Sequence, residues 1–140
     1  MMNLSNLKYF KKPGDIKLFV KVFFSLLALK ILLETVKLPR LLRLLEPKKR
    51  VEVNNTKIEH ITKFSNFILY NIFRSSKPCM LRSLMLFRYL RLRGMDIKIS
   101  FGVKDGGNVL KGHAWLIHKE TYFLEHDDPS REYKVVFVYP

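Results

Sequence analysis

The hydrophobic periodicity of this chain changes at Gly94, and the change limits the folds that the chain can adopt. Before Gly94, apolar residues recur at helical spacing, as they do over residues 80–90. Over residues 97–103 they alternate with polar residues, which is the period of a half-buried strand. Further strands are predicted at residues 109–118, 122–125 and 133–139. Helices followed by strands joined by short turns indicate an α+β fold, with a helical first half packed on an antiparallel sheet.

The length of 140 residues fits a single domain. Hydrophobic residues make up 48% of the chain, which is enough for a core and argues against disorder. We therefore predict one domain over residues 1–140. Residues 1–74 would be its helical portion, and residues 75–140 would add a further helix and the sheet.

The apolar segment 16–38 is nearly long enough to span a membrane. Charged residues interrupt it: Lys17, Lys21, Lys30, Glu34 and Lys37. Because each charge at the centre of a bilayer is unfavourable by roughly 2.5–3.5 kcal/mol, we predict a buried helix, or one that touches a membrane surface or a partner protein. Lys21 and Lys30 lie about 180° apart on a helix, so the apolar middle should be kinked or enclosed. Pro39 is expected to end this helix, before a short one at 40–45.

The single cysteine, Cys79, lies in the predicted first turn of the helix that ends at Gly94. Ser75 or Ser76 can cap this turn, and Pro78 suits it because a first-turn residue needs no N–H partner. Unpaired amides and the helix dipole favour an anion here, which lowers the pKa of a thiol and promotes the reactive thiolate. A lone cysteine is more often a small buried residue, so a catalytic hypothesis requires a base nearby.

His113 supplies that base if the chain folds back on itself. The predicted helix over 79–93 is about 22 Å long, and the strand over 97–103 is about 23 Å long. The strand then returns the chain to the level of the cysteine, where His113 enters the next strand. The third strand rises to the same end and brings Glu125 or Asp127 beside the ring. Strand parity places both carboxylates on one face and leaves the choice between them open.

Each of these residues would have a defined role in the reaction of a cysteine hydrolase. Cys79 would attack a carbonyl carbon, and His113 would take the thiol proton and later give it to the leaving amine. Amides at the helix start would stabilise the oxyanion. Arg82, one turn after the cysteine, can bind a substrate carboxylate or hold a buried acid, and Trp115 is expected to pack under the site. The alternative is that the histidine and the cysteine are ordinary core residues.

The formal net charge is +14, which favours an acidic partner such as a peptide, a protein, an anionic membrane or a nucleic acid. We recognise no nucleic-acid-binding motif, so a nucleic acid is not expected. One cysteine forms no internal disulfide, and no Cys/His cluster predicts a structural metal. No metal or other cofactor is therefore expected. The N-terminal residues lack the pattern of a signal peptide, which favours a reducing, cytoplasmic setting.

Several sequence blocks share their order and spacing with a known family: residues 78–84 (PCMLRSL), 92–95 (LRGM), 101–103 (FGV) and 112–116 (GHAWL). They resemble the stand-alone B proteins, the transglutaminase-like leader peptidases of lasso peptide biosynthesis. The resemblance implies a papain- or transglutaminase-like fold and cleavage of a precursor peptide. Cys79 matches the family nucleophile, His113 its base, and Arg82 an arginine that often follows the cysteine. The position at which the family usually has aspartate holds Glu125.

The resemblance also implies partners, namely the precursor peptide, a separate leader-recognition protein and a macrolactam synthetase. Two other functions remain open on the sequence. An acyltransferase of the same fold would pass the acyl group to an amine instead of water. A non-enzymatic basic domain would bind nucleic acid or a membrane through its positive charge and the helix over 16–38.

Overall fold

Helices precede an antiparallel sheet along this chain, so the predicted α+β fold class is confirmed. The computed structural model describes residues 13–48, 56–74, 78–125 and 127–139. The elements in order are α1 (Pro13–Thr35), α2 (Leu38–Leu45), α3 (Thr56–Phe67), a π-helical turn (Ile68–Ile72), α4 (Pro78–Leu92), β1 (Ile97–Asp105), β2 (Leu110–His118), β3 (Thr121–Phe123), a 3₁₀ turn (Pro129–Arg131) and β4 (Lys134–Tyr139).

The long apolar segment forms α1, which packs on the rest of the molecule along one side only. Val22, Leu26 and Leu29 are buried, whereas Phe24 is 61% exposed. Of the two predicted alternatives, an enclosed middle is therefore wrong, because tertiary contacts cover a single face of the apolar segment; a kink stays a prediction. Among the helices that the structure describes, none has the length and apolar character needed to cross a membrane.

The boundary after α1 also differs from the prediction. The helix ends at Thr35, and Pro39 lies in the first turn of α2 instead of ending α1. A proline is well accommodated in a first turn because its missing N–H would have no helical partner there. The second helix therefore begins at Leu38, two residues earlier than expected, with the proline in its first turn.

The helix that carries the cysteine, α4, ends as its sequence predicts. Gly94 adopts a left-handed φ of 85°. The N–H of Met95 donates to the carbonyl of Leu90 at 3.1 Å, and the N–H of Gly94 donates to the carbonyl of Arg91 at 3.0 Å. This pair of bonds is the Schellman ending, which favours glycine. At the other end of α4, the predicted caps Ser75 and Ser76 lie outside the described residues.

The strands form a four-stranded sheet in the order β3-β2-β1-β4, with antiparallel pairing throughout. The central strand β1 was expected to be half-buried. Instead Ile99 and its neighbour Ser100, which point to opposite faces, are both fully buried. β1 lies between two strands, so both of its edges are paired. In its middle both faces are covered as well, because α4 packs on one face and Trp115 lies across from Ser100 on the other.

The cysteine helix α4 and the histidine strand β2 are joined by packing and by a buried hydrogen bond. Ser83 on α4 donates from its hydroxyl to the carbonyl of Ala114 on β2 at 2.9 Å. Around this bond, apolar side chains of the helices and the sheet form a hydrophobic cluster that includes Leu26, Leu42, Ile68, Leu84, Phe87, Ile99 and Leu116. Full burial of each such side chain stabilises the fold by about 1.5–3 kcal/mol. This packing fixes the start of α4 against β2.

Candidate active site

Cys79 is the second residue of α4 and is partly exposed at the start of the helix. Pro78 has no N–H, and the amides of Cys79 and Met80 have no acceptor within the helix because they lie in its first turn. The pKa of the Cys79 thiol is lowered from 9.0, chiefly by a hydrogen bond with His113, while burial acts in the opposite direction. The positive charge of Arg82 lowers it further. The helix start therefore presents a thiol that ionises readily.

His113 on β2 lies between the thiol and a carboxylate. Its Nε2 is 3.4 Å from Oε1 of Glu125, and both side chains are more than four-fifths buried. The hydrogen bond with Cys79 and then that with Glu125 raise the pKa of His113 from 6.5 to about 9. At neutral pH the ring is therefore protonated, and ionisation of the Cys79 thiol beside it, whose pKa is lowered, gives a thiolate–imidazolium pair. This ion pair is the activated form of a cysteine nucleophile.

The structure places Glu125, and not Asp127, beside the histidine. The strand β3 ends at Phe123, and Leu124 has a left-handed φ of 62°, so the chain turns before it reaches Glu125. The predicted strand over 122–125 is thus too long, and the parity argument for a shared face fails because alternation requires continuous extended backbone. Asp127 is exposed to solvent.

Arg82 holds the carboxylate from the side of the helices. Its Nη2 is 3.7 Å from Oε1 of Glu125, and its Nη1 donates to Oδ1 of Asn66 on α3 at 3.2 Å. Of the two roles that the sequence left open for Arg82, these contacts favour holding an acid. A contact between Arg82 and substrate remains a prediction. The helical half of the chain therefore reaches the site through Asn66.

Two aromatic rings lie against the imidazole of His113. The ring of Tyr133 is 5.0 Å from it at an angle of 27°, and that of Trp115 is 5.7 Å away at 22°. Gly102, paired with His113 across the sheet, makes room for both rings. A Cβ at Gly102 would lie 2.9 Å from Cη2 of Trp115 and from Cβ of Tyr133. The glycine thus permits the close aromatic packing that limits the positions of the histidine ring.

A comparison of the chain with models of protein families identifies the superfamily to which a site of this geometry belongs. Residues 23–138 match the model of the transglutaminase-like superfamily, a range that includes all of the site residues described above. The chain belongs to the transglutaminase-like superfamily. Neither a curated protein nor a solved structure matches the chain significantly. Transglutaminase-like enzymes are cysteine-protease-like or acyltransferase-like, and the α+β fold with helices before an antiparallel sheet agrees with this assignment.

The transglutaminase-like site opens into a pocket of about 440 Å³. Its walls come from the start of α4, from the first half of β2 and from the segment before β4: Pro78, Cys79, Met80, Leu110, Lys111, Gly112, His113, Ala114 and Tyr133. The lining is mainly apolar, with one cation besides the histidine. Among the residues that the structure describes, no group of three or more His, Cys, Asp or Glu side chains is arranged to hold a metal ion.

The sequence identified Cys79, His113 and Arg82, which the structure brings together, and offered Glu125 as one of two candidate acids, but it missed their supports. Asn66, Ser83 and Tyr133 were not anticipated. Ser83 had a weak signal, since it is a polar residue within the apolar pattern of α4. No sequence pattern indicated Asn66 or Tyr133, because each reaches the site from a part of the chain distant from Cys79 and His113.

Substitution of Glu125 by glutamine is expected to lower kcat/KM by at least about tenfold and by up to about 10⁴-fold, as loss of an orienting carboxylate can. The amide keeps the size of the side chain but removes the charge that helps to hold the proton on His113. The matched control is Asp127→Asn, which should leave kcat/KM unchanged because Asp127 is exposed. Equal losses in the two variants would contradict the assignment of Glu125.

The pH dependence of kcat/KM should be bell-shaped. Activity needs the Cys79 thiolate, so the acidic limb follows the lowered pKa of the thiol and lies below 9.0. Activity also needs the imidazolium, so it falls as pH rises through about 9, the pKa of His113. These limbs are macroscopic values of the coupled pair. A profile that keeps rising beyond the pKa of His113 would contradict a protonated histidine in the active form.

Proposed function

We propose that this protein is a cysteine peptidase that removes the leader peptide from a ribosomally made precursor during lasso peptide biosynthesis. The observation that carries the proposal is the pairing of an ionisable thiol at a helix start with a protonated histidine beside an open pocket. The choice of a lasso peptide precursor as substrate rests on the four sequence blocks that resemble the B proteins. Membership of the transglutaminase-like superfamily supports the reaction class.

The proposed reaction has two stages. The thiolate of Cys79 attacks the scissile carbonyl, and the amides of Cys79 and Met80 stabilise the oxyanion that forms. The imidazolium of His113 then gives its proton to the leaving amine, which departs with the core peptide and leaves a thioester to the leader. The neutral imidazole then takes a proton from a water whose oxygen attacks the thioester carbonyl. The C–S bond breaks, Cys79 leaves as the thiolate beside the imidazolium, and the leader departs with a free carboxyl group.

Glu125 and Arg82 have supporting roles in this reaction. The carboxylate holds the imidazole by its Nε2 and favours the imidazolium. The guanidinium lies between Glu125 and Asn66, so it fixes the position of the acid. Nδ1, the other ring nitrogen, is then the atom left for the sulfur. Each residue in the series Asn66, Arg82, Glu125, His113 and Cys79 therefore contacts the next one.

The pocket suits an extended peptide next to the sulfur. Its apolar walls, from Met80, Leu110 and Tyr133, would take the apolar side chain of a residue near the cleavage site, and Lys111 would attract an acidic neighbour. We assign leader capture to a separate leader-recognition protein and ring closure to a macrolactam synthetase. A cytoplasmic location is part of the proposal because a reducing compartment keeps the thiol active.

The test is incubation of the protein with a candidate precursor peptide, with and without a leader-recognition protein. Mass spectrometry should find a leader fragment ending in a free carboxylate and a core fragment with a free amine. Protein alkylated beforehand with iodoacetamide is the control and should release neither fragment. A product in which the leader carries a new amide would instead indicate an acyltransferase. An intact precursor in the presence of the recognition protein would contradict the peptidase.

A further inference from the structure

An exposed apolar stripe runs along the outer side of α1. Ile16, Val20, Phe24 and Ile31 are 57%, 45%, 61% and 55% exposed. At about 100° per residue these four positions fall within one side of the helix, and at 1.5 Å per residue they extend over about 22 Å. We call this set of four residues the α1 stripe. An exposed apolar surface of this length indicates a binding surface.

Lysines border the α1 stripe on both sides. Lys17 and Lys21 lie about 60–100° from its centre in one direction around the helix, and Lys30 lies about 80° away in the other. No acidic residue occurs in the sequence between Asp15 and Glu34. The two lysine faces that the sequence placed on opposite sides of the helix are thus the two margins of one apolar surface.

The apolar surface continues into a groove on the Lys21 side of the stripe. Helices α1, α2 and α4 enclose this groove, which has a volume of about 550 Å³ and mainly aliphatic walls. Leu44 of α2 lines it and is 58% exposed. The charged residues that line it are all cations: Lys21, Arg88 and Arg93. Apolar surface and positive charge therefore occur together over two neighbouring helices.

We propose that the α1 stripe binds the surface of an anionic phospholipid bilayer. The helix would lie in the plane of the membrane, with the stripe among the first acyl carbons and the lysines at the level of the lipid phosphates. A lysine stem can reach from the margin of the helix to the headgroups. This inference goes beyond the proposed peptidase activity and does not depend on it.

Charge and shape favour a bilayer over other occupants. A second copy of the chain would bring the same lysines and a net charge of +14 against its partner, so like charges oppose self-association. The stripe is the convex crest of one helix, and its four side chains offer no hydrogen-bonding group that would select a particular protein surface. A bilayer accommodates convex apolar side chains, and its anionic headgroups complement the lysines.

The test uses the full chain and vesicles that can be pelleted. We expect the protein to co-sediment with vesicles of phosphatidylcholine and phosphatidylglycerol in equal parts, and much less with phosphatidylcholine alone. The double substitution Phe24→Ser/Ile31→Ser should lower the partition coefficient by at least about tenfold, since it removes two of the largest inserted side chains. Val109→Ser/Val136→Ser is the matched control, because both valines are exposed and lie outside α1. It should leave partitioning unchanged.

A second pair of variants tests the charges. Lys17→Gln/Lys21→Gln should weaken binding to the anionic vesicles severalfold, whereas Lys119→Gln/Lys134→Gln, at exposed positions of the β2–β3 turn and of β4, should have less effect. Far-UV circular dichroism checks that each variant is folded. No binding of the wild-type protein to anionic vesicles at low salt would overturn the proposal. So would binding that survives Phe24→Ser/Ile31→Ser, or a stripe-dependent dimer in lipid-free sedimentation velocity.

Discussion

Substitution of Cys79 by alanine is expected to lower kcat/KM for precursor cleavage by about 10⁴-fold or more while the protein stays folded. Loss of a nucleophile in a hydrolase leaves only the rate supplied by binding and by the oxyanion site. Cys79 is partly exposed at the helix start and is not a member of the buried hydrophobic cluster. The melting temperature should therefore change little. Cleavage is measured by mass spectrometry, and folding by circular dichroism.

Cys79→Ser is the matched variant for this experiment. It keeps the size of the side chain and its hydrogen bond to the ring, but a serine hydroxyl does not ionise at the pH at which the thiol does. We expect it to be as inactive as the alanine variant. Cleavage at the wild-type rate by either variant would remove Cys79 from the mechanism, whatever the geometry around it.

Substitution of His113 by glutamine should have the second-largest effect, a loss of at least about 10³-fold in kcat/KM because the leaving amine then lacks its proton donor. It should also raise the pKa of Cys79, since the hydrogen bond with His113 is the main cause of its lowering. The pH dependence of alkylation by iodoacetamide measures that pKa. The inflection should move toward the ordinary value of 9.0.

His118→Gln provides the control for His113. His118 lies on the same strand, and its Nδ1 is 3.3 Å from the carbonyl oxygen of Asp96, away from the sulfur. This variant should keep both the activity and the alkylation inflection of the wild-type protein. An inflection that does not move in His113→Gln would show that another group ionises the thiol.

The helical first half supports the site although none of its described residues lines the pocket around the sulfur. Asn66 on α3 accepts a hydrogen bond from Arg82, and Arg82 holds Glu125 against His113. A change in the packing of α3 would therefore reach the imidazole through two side chains. Without α3, the sheet and the cysteine helix would keep Arg82 beside Glu125, but Arg82 would lack the hydrogen-bond acceptor that fixes its guanidinium.

Much of the fold was predictable because local sequence determines it. The change of period after Gly94 identified where helices give way to strands, and the glycine itself marked the end of α4. Pro78 and Cys79 identified a helix start, where the unpaired amides follow from backbone geometry alone. The lengths of the helix and the next strand then returned His113 to the cysteine, and the contact between the two residues agrees with that estimate.

What the sequence could not determine depends on contacts between distant residues and on single backbone angles. The choice of Glu125 over Asp127 follows from the left-handed φ of Leu124, and the spacing of apolar residues in the sequence does not predict that angle. The exposed side of α1 depends on where α3 and α4 pack, since the segment is apolar nearly all round. The sequence by itself determined the order of helices and strands and the proximity of Cys79 and His113, because local residue patterns and the lengths of the elements encode them. Only the tertiary structure decided which acid orients the base and which apolar face stays uncovered, because those outcomes depend on residues far apart in the chain.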